Sequence, residues 1–241
     1  MVTLGRLTLG SMPCIAAAIT DGELRSEREL VCRYADVIEL RIDRFARHEP
    51  SYVADACEQA RGLERPLIAT VRVAAQGGDA DLSDPQRLAA FEAAIPFVDA
   101  VDVELRSTIC AAVTTLAARH GRLAIVSHHD FTATPSEAEL VDMWKAADQL
   151  DGANIFKIAG YANDTRDIER LLDFLRSRRT RGLIVLAMGP HGVASRVFFP
   201  LLGSLITYGY VSTPGAAGQL SLAELYAELR RYSPEFAAAH A

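Results

Sequence analysis

The chain has 241 residues, of which 50% are apolar and 23% are charged, so it can bury a sizeable core without being divided. Its net charge of -6 and the absence of a basic stripe argue against a nucleic-acid partner, and an anionic substrate has to be captured by a local arginine cluster. No apolar run approaches the length of a membrane span, and no basic segment followed by an apolar core indicates a signal peptide.

The cysteines indicate the compartment. Cys14, Cys32, Cys57 and Cys110 are scattered, with no Cys-x-x-Cys pair and no spacing typical of metal ligands. This pattern is typical of thiols that serve as small apolar side chains in a reducing compartment. The sequence therefore predicts a cytoplasmic protein.

Short apolar runs recur along the chain and predict its strands. Val2–Leu4 and Leu7–Leu9 come first, around Gly5-Arg6, and predict a two-stranded hairpin. Eight runs rich in β-branched residues follow, with starts about 20 to 35 residues apart, which is the size of a βα unit. These runs are Ile15–Ile19, Val37–Leu40, Leu67–Val71, Ala100–Leu105, Leu123–Val126, Ile155–Ile158, Leu183–Met188 and Leu205–Tyr208.

Segments with helical patterning lie between these runs. They are Leu88–Phe97, Ser107–His120, Ser136–Leu150, Thr165–Arg179 and Ser221–Arg231. Three predicted helices carry a capping signal at their start. The signals are Ser136 with Glu139, Ser221 with Glu224, and Asp84 before Pro85.

The order of these elements predicts the fold. The strands are continuously apolar, which indicates burial on both faces and therefore a parallel sheet. Eight βα units favour a (β/α)8 TIM barrel over an open doubly wound sheet, and no Gly-x-Gly-x-x-Gly follows the first barrel strand to indicate a dinucleotide site. The hairpin is expected to close the bottom of the barrel. Since no linker divides the chain, residues 1–241 are predicted to form a single domain.

Lys157 is the most informative residue, because it stands in an otherwise apolar strand, Asn154–Gly160. A buried ammonium is costly unless it is paired or reactive, and an isolated strand-end lysine more often reaches solvent. His129 holds the same relative position one βα unit upstream, and this second titratable group favours a shared active site. Adjacent histidines on a strand face opposite sides, so we predict that His129 faces inward with Ser127 and that His128 does not.

Further polar side chains follow other predicted strands, at the end where barrel enzymes place their active sites. Glu39, Arg41 and Asp43 share one face of the second barrel strand by the period of two, a pattern that is also common on solvated edges. Arg72 follows the third strand. Glycine-containing loops follow the seventh and eighth strands, and the permissive glycines indicate a lid and backbone close to a ligand.

These groups can act together on a ketone. An imine of Lys157 makes the neighbouring carbon acidic, and His129 can take that proton and return one to a leaving hydroxyl without a metal or organic cofactor. Planar guanidinium donors suit a carboxylate and hydroxyl groups, and a carboxylate accepts from hydroxyls. The side chains that offer these contacts are Arg41, Arg72, Arg196 and Glu39. The implied substrate is a polyhydroxylated keto acid.

Several motifs, spread along nearly the whole chain, resemble those of one family. They are Glu39-x-Arg41-x-Asp43, Asp102-Val103-Glu104-Leu105, Ser127-His128-His129-Asp130-Phe131, Phe156-Lys157-Ile158-Ala159, Ser195-Arg196 and Gly218-Gln219. Together they resemble type I 3-dehydroquinate dehydratase, and the Ser-x-His-Asp element combined with a strand-end lysine is the specific part. The resemblance implies a (β/α)8 barrel, usually a homodimer, that converts 3-dehydroquinate to 3-dehydroshikimate on the shikimate route of aromatic amino acid biosynthesis.

The resemblance also implies roles for individual side chains. Lys157 resembles the Schiff-base lysine, His129 the general acid/base and Arg196 the carboxylate clamp. The implied substrate-binding positions are Glu39, Arg41, Arg72, Arg196 and Gln219. The implied partner is the small-molecule substrate alone, with no cofactor and no metal.

Three positions depart from the family pattern. Gln76 stands where the family has a glutamate that assists the proton-transfer histidine, and an amide cannot titrate. Ala18 stands where a serine is expected inside the first strand. In the last loop, either Ser212 precedes an insertion or Gly215 replaces the family serine.

Two other functions stay open from the sequence. One is a non-catalytic protein that binds a cyclic keto acid, and the other is a class I aldolase-like enzyme acting on another keto sugar acid. Retention of both Lys157 and His129 favours an enzyme, since a binding protein has no reason to keep a buried amine beside a base.

Overall fold

The computed structural model of the protein describes residues 2–178 and 182–241. The predicted hairpin is present as two antiparallel strands, β1 (Val2–Leu4) and β2 (Leu7–Leu9). Eight parallel strands then form the wall of a nearly closed barrel, so the predicted (β/α)8 class is confirmed. These strands are β3 (Ile15–Ile19), β4 (Val37–Arg41), β5 (Leu67–Thr70), β6 (Ala100–Glu104), β7 (Leu123–Asp130), β8 (Ala153–Tyr161), β9 (Gly182–Met188) and β10 (Thr207–Gly209).

Helices cover the outside of the barrel. They are α1 (Asp21–Ser26), α2 (Arg28–Tyr34), α3 (Pro50–Arg61), α4 (Asp84–Ala94), α5 (Cys110–Arg119), α6 (Glu137–Asp148), α7 (Thr165–Ser177), α8 (Ser195–Leu201), α9 (Leu222–Tyr232) and α10 (Pro234–Ala239). Outward strand residues such as Ile38 and Val126 share one buried cluster with helix residues such as Phe91 and Leu171. Over the part of the chain that the structure describes, no helix is long and apolar enough to cross a membrane.

The inside of the barrel is apolar at one end and polar at the other. Ile68, Ala100 and Ile125 are buried in one cluster with Leu4 and Leu9 of the hairpin, so the hairpin closes the N-terminal end as predicted. Because side chains alternate along a strand, the next inward position lies two residues further on. Those positions are polar and buried: Thr70, Asp102 and Ser127. They lie beneath a polar cavity at the C-terminal end of the strands, where Asp102 contacts the lining residues Arg72 and Lys157.

The seam of the barrel, between β9 and β10, is bridged by a side chain. The Ser204 hydroxyl accepts from the Val185 backbone N–H at 2.9 Å and donates to the Val185 carbonyl at 3.2 Å. The neighbouring Leu205 N–H donates to the Leu183 carbonyl at 2.8 Å. A hydroxyl can replace a backbone pair because it both donates and accepts. The last strand begins at Thr207, two residues after the predicted start at Leu205.

Two of the three predicted capping signals are confirmed. Ser136 and Ser221 each cap a helix and accept from the backbone N–H three residues on. The prediction that Asp84 caps its helix is wrong, because Asp84 is the first helical residue and Ser83 precedes it with extended backbone. The Ser83 N–H donates to the Gln86 side chain at 2.9 Å, which completes a capping box one residue earlier than expected.

Element ends differ from the prediction in both directions. Strand β7 continues to Asp130 instead of ending at Val126, and β8 spans nine residues. Helix α7 ends at Ser177, and Arg179 at the end of the predicted helix lies outside the described residues. The helices α1, α2, α3, α8 and α10 were not predicted.

Candidate active site

The side chains predicted to act in catalysis or substrate binding meet at one cavity of about 420 Å³ at the C-terminal end of the barrel, whereas Asp43 lies outside its lining. They arrive on separate elements, as the fold requires of residues that follow different strands. Glu39 and Arg41 lie on β4, Arg72 follows β5, His129 lies on β7, Lys157 on β8, Arg196 on α8 and Gln219 in the loop after β10. All seven line the cavity.

The alternation along β7 decides which histidine enters the site. His129 lines the cavity, and His128 does not. Ser127 has the same parity as His129, and its hydroxyl is buried against Asp102 at 2.6 Å. His128 points to the outer side, where burial and the nearby Arg106 lower the pKa of its imidazole. The period of two therefore places these side chains as the sequence predicts.

Lys157 is buried, with 3% of its surface exposed, and it does not reach solvent. Its Nζ lies 2.8 Å from Oδ2 of Asp102 and 3.9 Å from Oε1 of Glu39. The same nitrogen lies 4.1 Å from the centroid of the Tyr208 ring. Two carboxylates and an aromatic face therefore compensate for the hydration that the ammonium loses on burial.

Asp102, beneath the cavity, pairs with two of the cations that line it. Its Oδ1 accepts from Nη2 of Arg72 at 2.8 Å, while its Oδ2 accepts from Lys157. Burial alone would raise the pKa of this carboxyl, but Arg72 and Lys157 hold that pKa well below its usual range. Asp102 therefore stays ionised across the working pH of an enzyme.

Arg72 faces the cavity, and acidic side chains hold its guanidinium in place. Besides Asp102, its guanidinium contacts Glu104 at 3.1 Å and donates to the Ser127 hydroxyl at 2.7 Å. Its backbone N–H donates to Asp43 at 3.2 Å. The geometry thus fixes Arg72 firmly before any ligand arrives.

His129 is placed to act as a neutral base. Burial, Arg72 and Lys157 hold the pKa of its imidazole well below its usual range, and Asp102 opposes them only in part. Nδ1 of the ring has no hydrogen-bond partner among the described residues. The backbone N–H of His129 donates to the Gln76 side chain at 2.8 Å. The ring is therefore neutral near pH 7, and one of its nitrogens is free to accept a proton.

Arg196 differs from the other arginines of the cavity because it is buried without an acidic partner among the described residues. It is 3% exposed, its Nε has no hydrogen-bond partner there, and burial lowers the pKa of its guanidinium to about 10. Arg41, in contrast, contacts Asp43 at 3.0 and 2.7 Å and donates to the Gly77 carbonyl. A buried cation without a counterion is a site for an anion.

The cavity also holds residues that sequence reasoning did not single out as site residues. Tyr208 forms the surface under the Lys157 ammonium, and Arg44 lies at the rim, 3.3 Å from Asp79. The signal for Tyr208 is its inward parity on the last strand, two residues after Ile206. The positions that depart from the family pattern line the cavity as well: Ala18, Gln76, Ser212 and Gly215.

The sequence matches a family model and curated relatives of the same name. The model of the type I 3-dehydroquinase family matches residues 14–233. A 3-dehydroquinate dehydratase of Thermodesulfovibrio yellowstonii is 33% identical over 220 residues, which cover 91% of this chain and 95% of that protein. The enzyme of the same name from Klebsiella pneumoniae (strain ATCC 700721 / MGH 78578) is 34% identical over 230 residues, with 90% of both chains covered.

Solved structures agree with the sequence relatives. The crystal structure of 3-dehydroquinate dehydratase from Geobacillus kaustophilus superposes with a TM-score of 0.88 at 26% identity, covering 96% of this chain and 97% of that one. The type I enzyme of Clostridium difficile gives a TM-score of 0.85 at 27% identity and covers 96% of each chain. Taken with the lysine, histidine and arginine of the cavity, these matches show that the chain belongs to the type I 3-dehydroquinase family and is a hydro-lyase.

Proposed function

We propose that the protein converts 3-dehydroquinate to 3-dehydroshikimate and water through a Schiff base on Lys157. One observation carries the mechanism: a paired, buried amine and a neutral imidazole face the same 420 Å³ cavity. The Clostridium difficile relative was solved with covalently modified comenic acid, which supports covalent chemistry in this family.

The first stage is formation of the imine. Lys157 gives up a proton, and its free amine attacks the ketone carbon of the substrate to form a carbinolamine. Loss of the former carbonyl oxygen as water leaves an iminium cation. Asp102, 2.8 Å from Nζ, stays ionised and stabilises this cation as it stabilised the ammonium.

The second stage is elimination. His129 takes a proton from the carbon next to the iminium, and the bonding electrons move to the nitrogen to give an enamine. The protonated His129 then returns a proton to the hydroxyl on the next carbon, which leaves as water while the iminium re-forms in conjugation with the new double bond. Addition of water to this iminium releases the enone product and the free lysine.

The binding roles follow from charge and exposure. Arg196, buried without an acidic partner among the described residues, binds the substrate carboxylate. The hydroxyl groups of the substrate form hydrogen bonds with a carboxylate, two guanidinium groups and an amide of the protein. These groups belong to Glu39, Arg41, Arg72 and Gln219.

The proposal extends to assembly and location. Residues 1–241 act as one catalytic domain in a homodimeric cytoplasmic enzyme of the shikimate route. All four cysteines lie in the described residues as free thiols, in line with a reducing compartment. Light scattering of the purified protein tests the dimer, and a monomeric mass would contradict it.

The decisive experiment is the addition of 3-dehydroquinate to the pure protein while the absorbance of a conjugated enone is followed. We expect the absorbance to rise with the parent protein and to stay flat with Lys157→Met. A protein that binds the substrate without any absorbance change would be a binding protein. Cleavage of a carbon–carbon bond instead would indicate an aldolase-like enzyme.

A further inference from the structure

We propose that Arg87, on α4 and outside the cavity, is a positioning residue that keeps Lys157 able to form its Schiff base. The inference rests on the proposed function and adds to it a side chain that does not line the cavity. Arg87 is 1% exposed, although it lies on a helix that covers the outside of the barrel. A cation so deeply buried must be balanced by acidic groups.

Arg87 is fixed by a set of close contacts. Its Nη2 lies 2.5 Å from Oε2 of Glu104, and its Nε and Nη2 both donate to the Val71 carbonyl at 3.1 Å. Its Nη1 donates to the Ser107 hydroxyl at 3.0 Å and contacts Asp84 at 3.2 Å. Asp84 is 45% exposed, so water screens its charge and Glu104 is the main counterion.

A line of ion pairs connects Arg87 to the reactive amine. Oε1 of Glu104 lies 3.1 Å from Nη1 of Arg72, and Nη2 of Arg72 lies 2.8 Å from Oδ1 of Asp102. Oδ2 of Asp102 lies 2.8 Å from Nζ of Lys157. Charges alternate in sign along this line, so a change at one end alters how strongly each next pair is held.

We name these side chains, with Glu39, the buried ion network: Glu39, Arg72, Arg87, Asp102, Glu104 and Lys157. Every member has a side-chain exposure of 5% or less. Three carboxylates face three cations, so the network carries no net charge while Lys157 is protonated. In such poorly hydrated surroundings a single unbalanced charge has a large effect on its neighbours.

The expected consequence of removing Arg87 follows from this balance. Without it, the network carries one excess negative charge, and Glu104 draws Arg72 toward itself. Asp102 then interacts mainly with Lys157 and stabilises its ammonium form, which cannot attack a carbonyl. Imine formation therefore becomes slower at neutral pH and recovers as the pH rises.

None of the variants replaces a charged or titratable side chain that faces Lys157. The charged and titratable side chains that face it are Glu39 from β4, Arg72 after β5, Asp102 from β6, His129 from β7 and Tyr208 from β10, with Arg196 from α8 in the same cavity. Arg87 and Glu104 are absent from the cavity lining, so neither substitution removes a side chain that is proposed to contact the substrate.

The test is the pH dependence of borohydride trapping with substrate in three variants: Arg87→Met, Glu104→Gln and the double variant. We expect Arg87→Met to shift the trapping profile upward by about one pH unit, which is about tenfold in rate at fixed pH. Glu104→Gln should shift it downward. The double variant, which restores the balance of charges, should return close to the parent profile.

The outcomes separate the possible failures. A parent that turns over substrate without ever trapping an adduct overturns the proposed mechanism. A parent that traps, with an Arg87→Met profile that is unchanged or that is lowered equally at every pH, overturns only the role of Arg87. If Arg87→Met does not fold, the double variant decides: a parent-like profile is expected, and a strongly shifted one contradicts charge balance.

Discussion

Nζ of Lys157 lies 2.8 Å from Oδ2 of Asp102, and both side chains are almost completely excluded from water. The pair explains how the barrel keeps an ammonium among apolar strands. The proposed reaction passes from an ammonium through a neutral amine to an iminium, so the nitrogen carries a positive charge before and after the covalent step. A carboxylate fixed at this point stabilises both cations with the same geometry.

The first prediction concerns the identity of the reactive amine. The chain contains only two lysines, Lys157 and the exposed Lys145. Borohydride reduction in the presence of 3-dehydroquinate should therefore add one substrate-derived mass, located at Lys157 by peptide mapping. Lys145→Arg is the matched control and should trap as the parent does, while Lys157→Met should not trap. An active enzyme that never gives an adduct would remove the Schiff base from the mechanism.

The second prediction separates the two histidines. A positioned acid/base contributes about 10²–10⁴ in rate, so His129→Ala should lower kcat by that order. Imine formation does not require the ring to abstract a proton from carbon, and trapping should remain detectable. His128→Ala is the neighbouring control and should keep most of the activity, because His128 does not line the cavity. If His128→Ala is crippling and His129→Ala is benign, the assignment of roles is wrong.

The third prediction uses the contrast between two arginines. Arg196→Met should raise KM by about tenfold to a hundredfold, because a charge-assisted hydrogen bond to a carboxylate is lost. The same substitution should leave Tm unchanged or raise it. The reason is that burial lowers the pKa of Arg196, so folding disfavours its charged form.

Arg41→Met is the matched comparison. It leaves Asp43, whose side chain is fully buried, without its ion-pair partner, and that loss costs about 3–5 kcal/mol. We therefore expect Tm to fall for Arg41→Met and not for Arg196→Met, as measured by thermal unfolding with circular dichroism. Equal destabilisation by the two substitutions would contradict the view that Arg196 is unpaired before the substrate binds.

Parts of this site follow from the sequence because they depend on a local period. The alternation of side chains along a strand is enough to choose His129 over His128. The end of β7 was not predicted because residues 127–130 are all polar, and a polar segment after an apolar run resembles a loop. These polar residues can continue the strand because their side chains face polar surroundings inside the barrel or at its rim.

Other parts depend on contacts between distant segments, which no local pattern encodes. Arg87 has ordinary helical surroundings in the sequence, and its contact with Glu104 of β6 arises only when α4 packs against the barrel. The seam bridged by Ser204 is similar, since a single hydroxyl there replaces a strand pair. The helices α1 and α2 have six and seven residues, too short to show a clear period.

The last prediction concerns Gln76, whose side-chain oxygen accepts from the His129 backbone N–H at 2.8 Å. A carboxylate in this place would favour the imidazolium and raise the pKa of His129, which burial, Arg72 and Lys157 now hold low. A general base works while it is neutral, so its rate declines as the pH falls through its pKa. Gln76→Glu should therefore move the acid limb of the pH–rate profile upward and raise turnover, because the charge stabilises the protonated intermediate state of the histidine.

Glu104 does not already supply that charge, because its two oxygens are taken by Arg72 and Arg87 and it is absent from the cavity lining.

Gln76→Ala is the control for loss of the hydrogen bond without gain of charge, and it should leave the acid limb where it is in the parent. The measurement is kcat/KM on 3-dehydroquinate across the acid range for the three proteins, since this ratio reports the free enzyme. If Gln76→Glu changes neither the limb nor the rate in a fully active parent, the amide at this position is neutral for catalysis, and His129 works without a charged assistant.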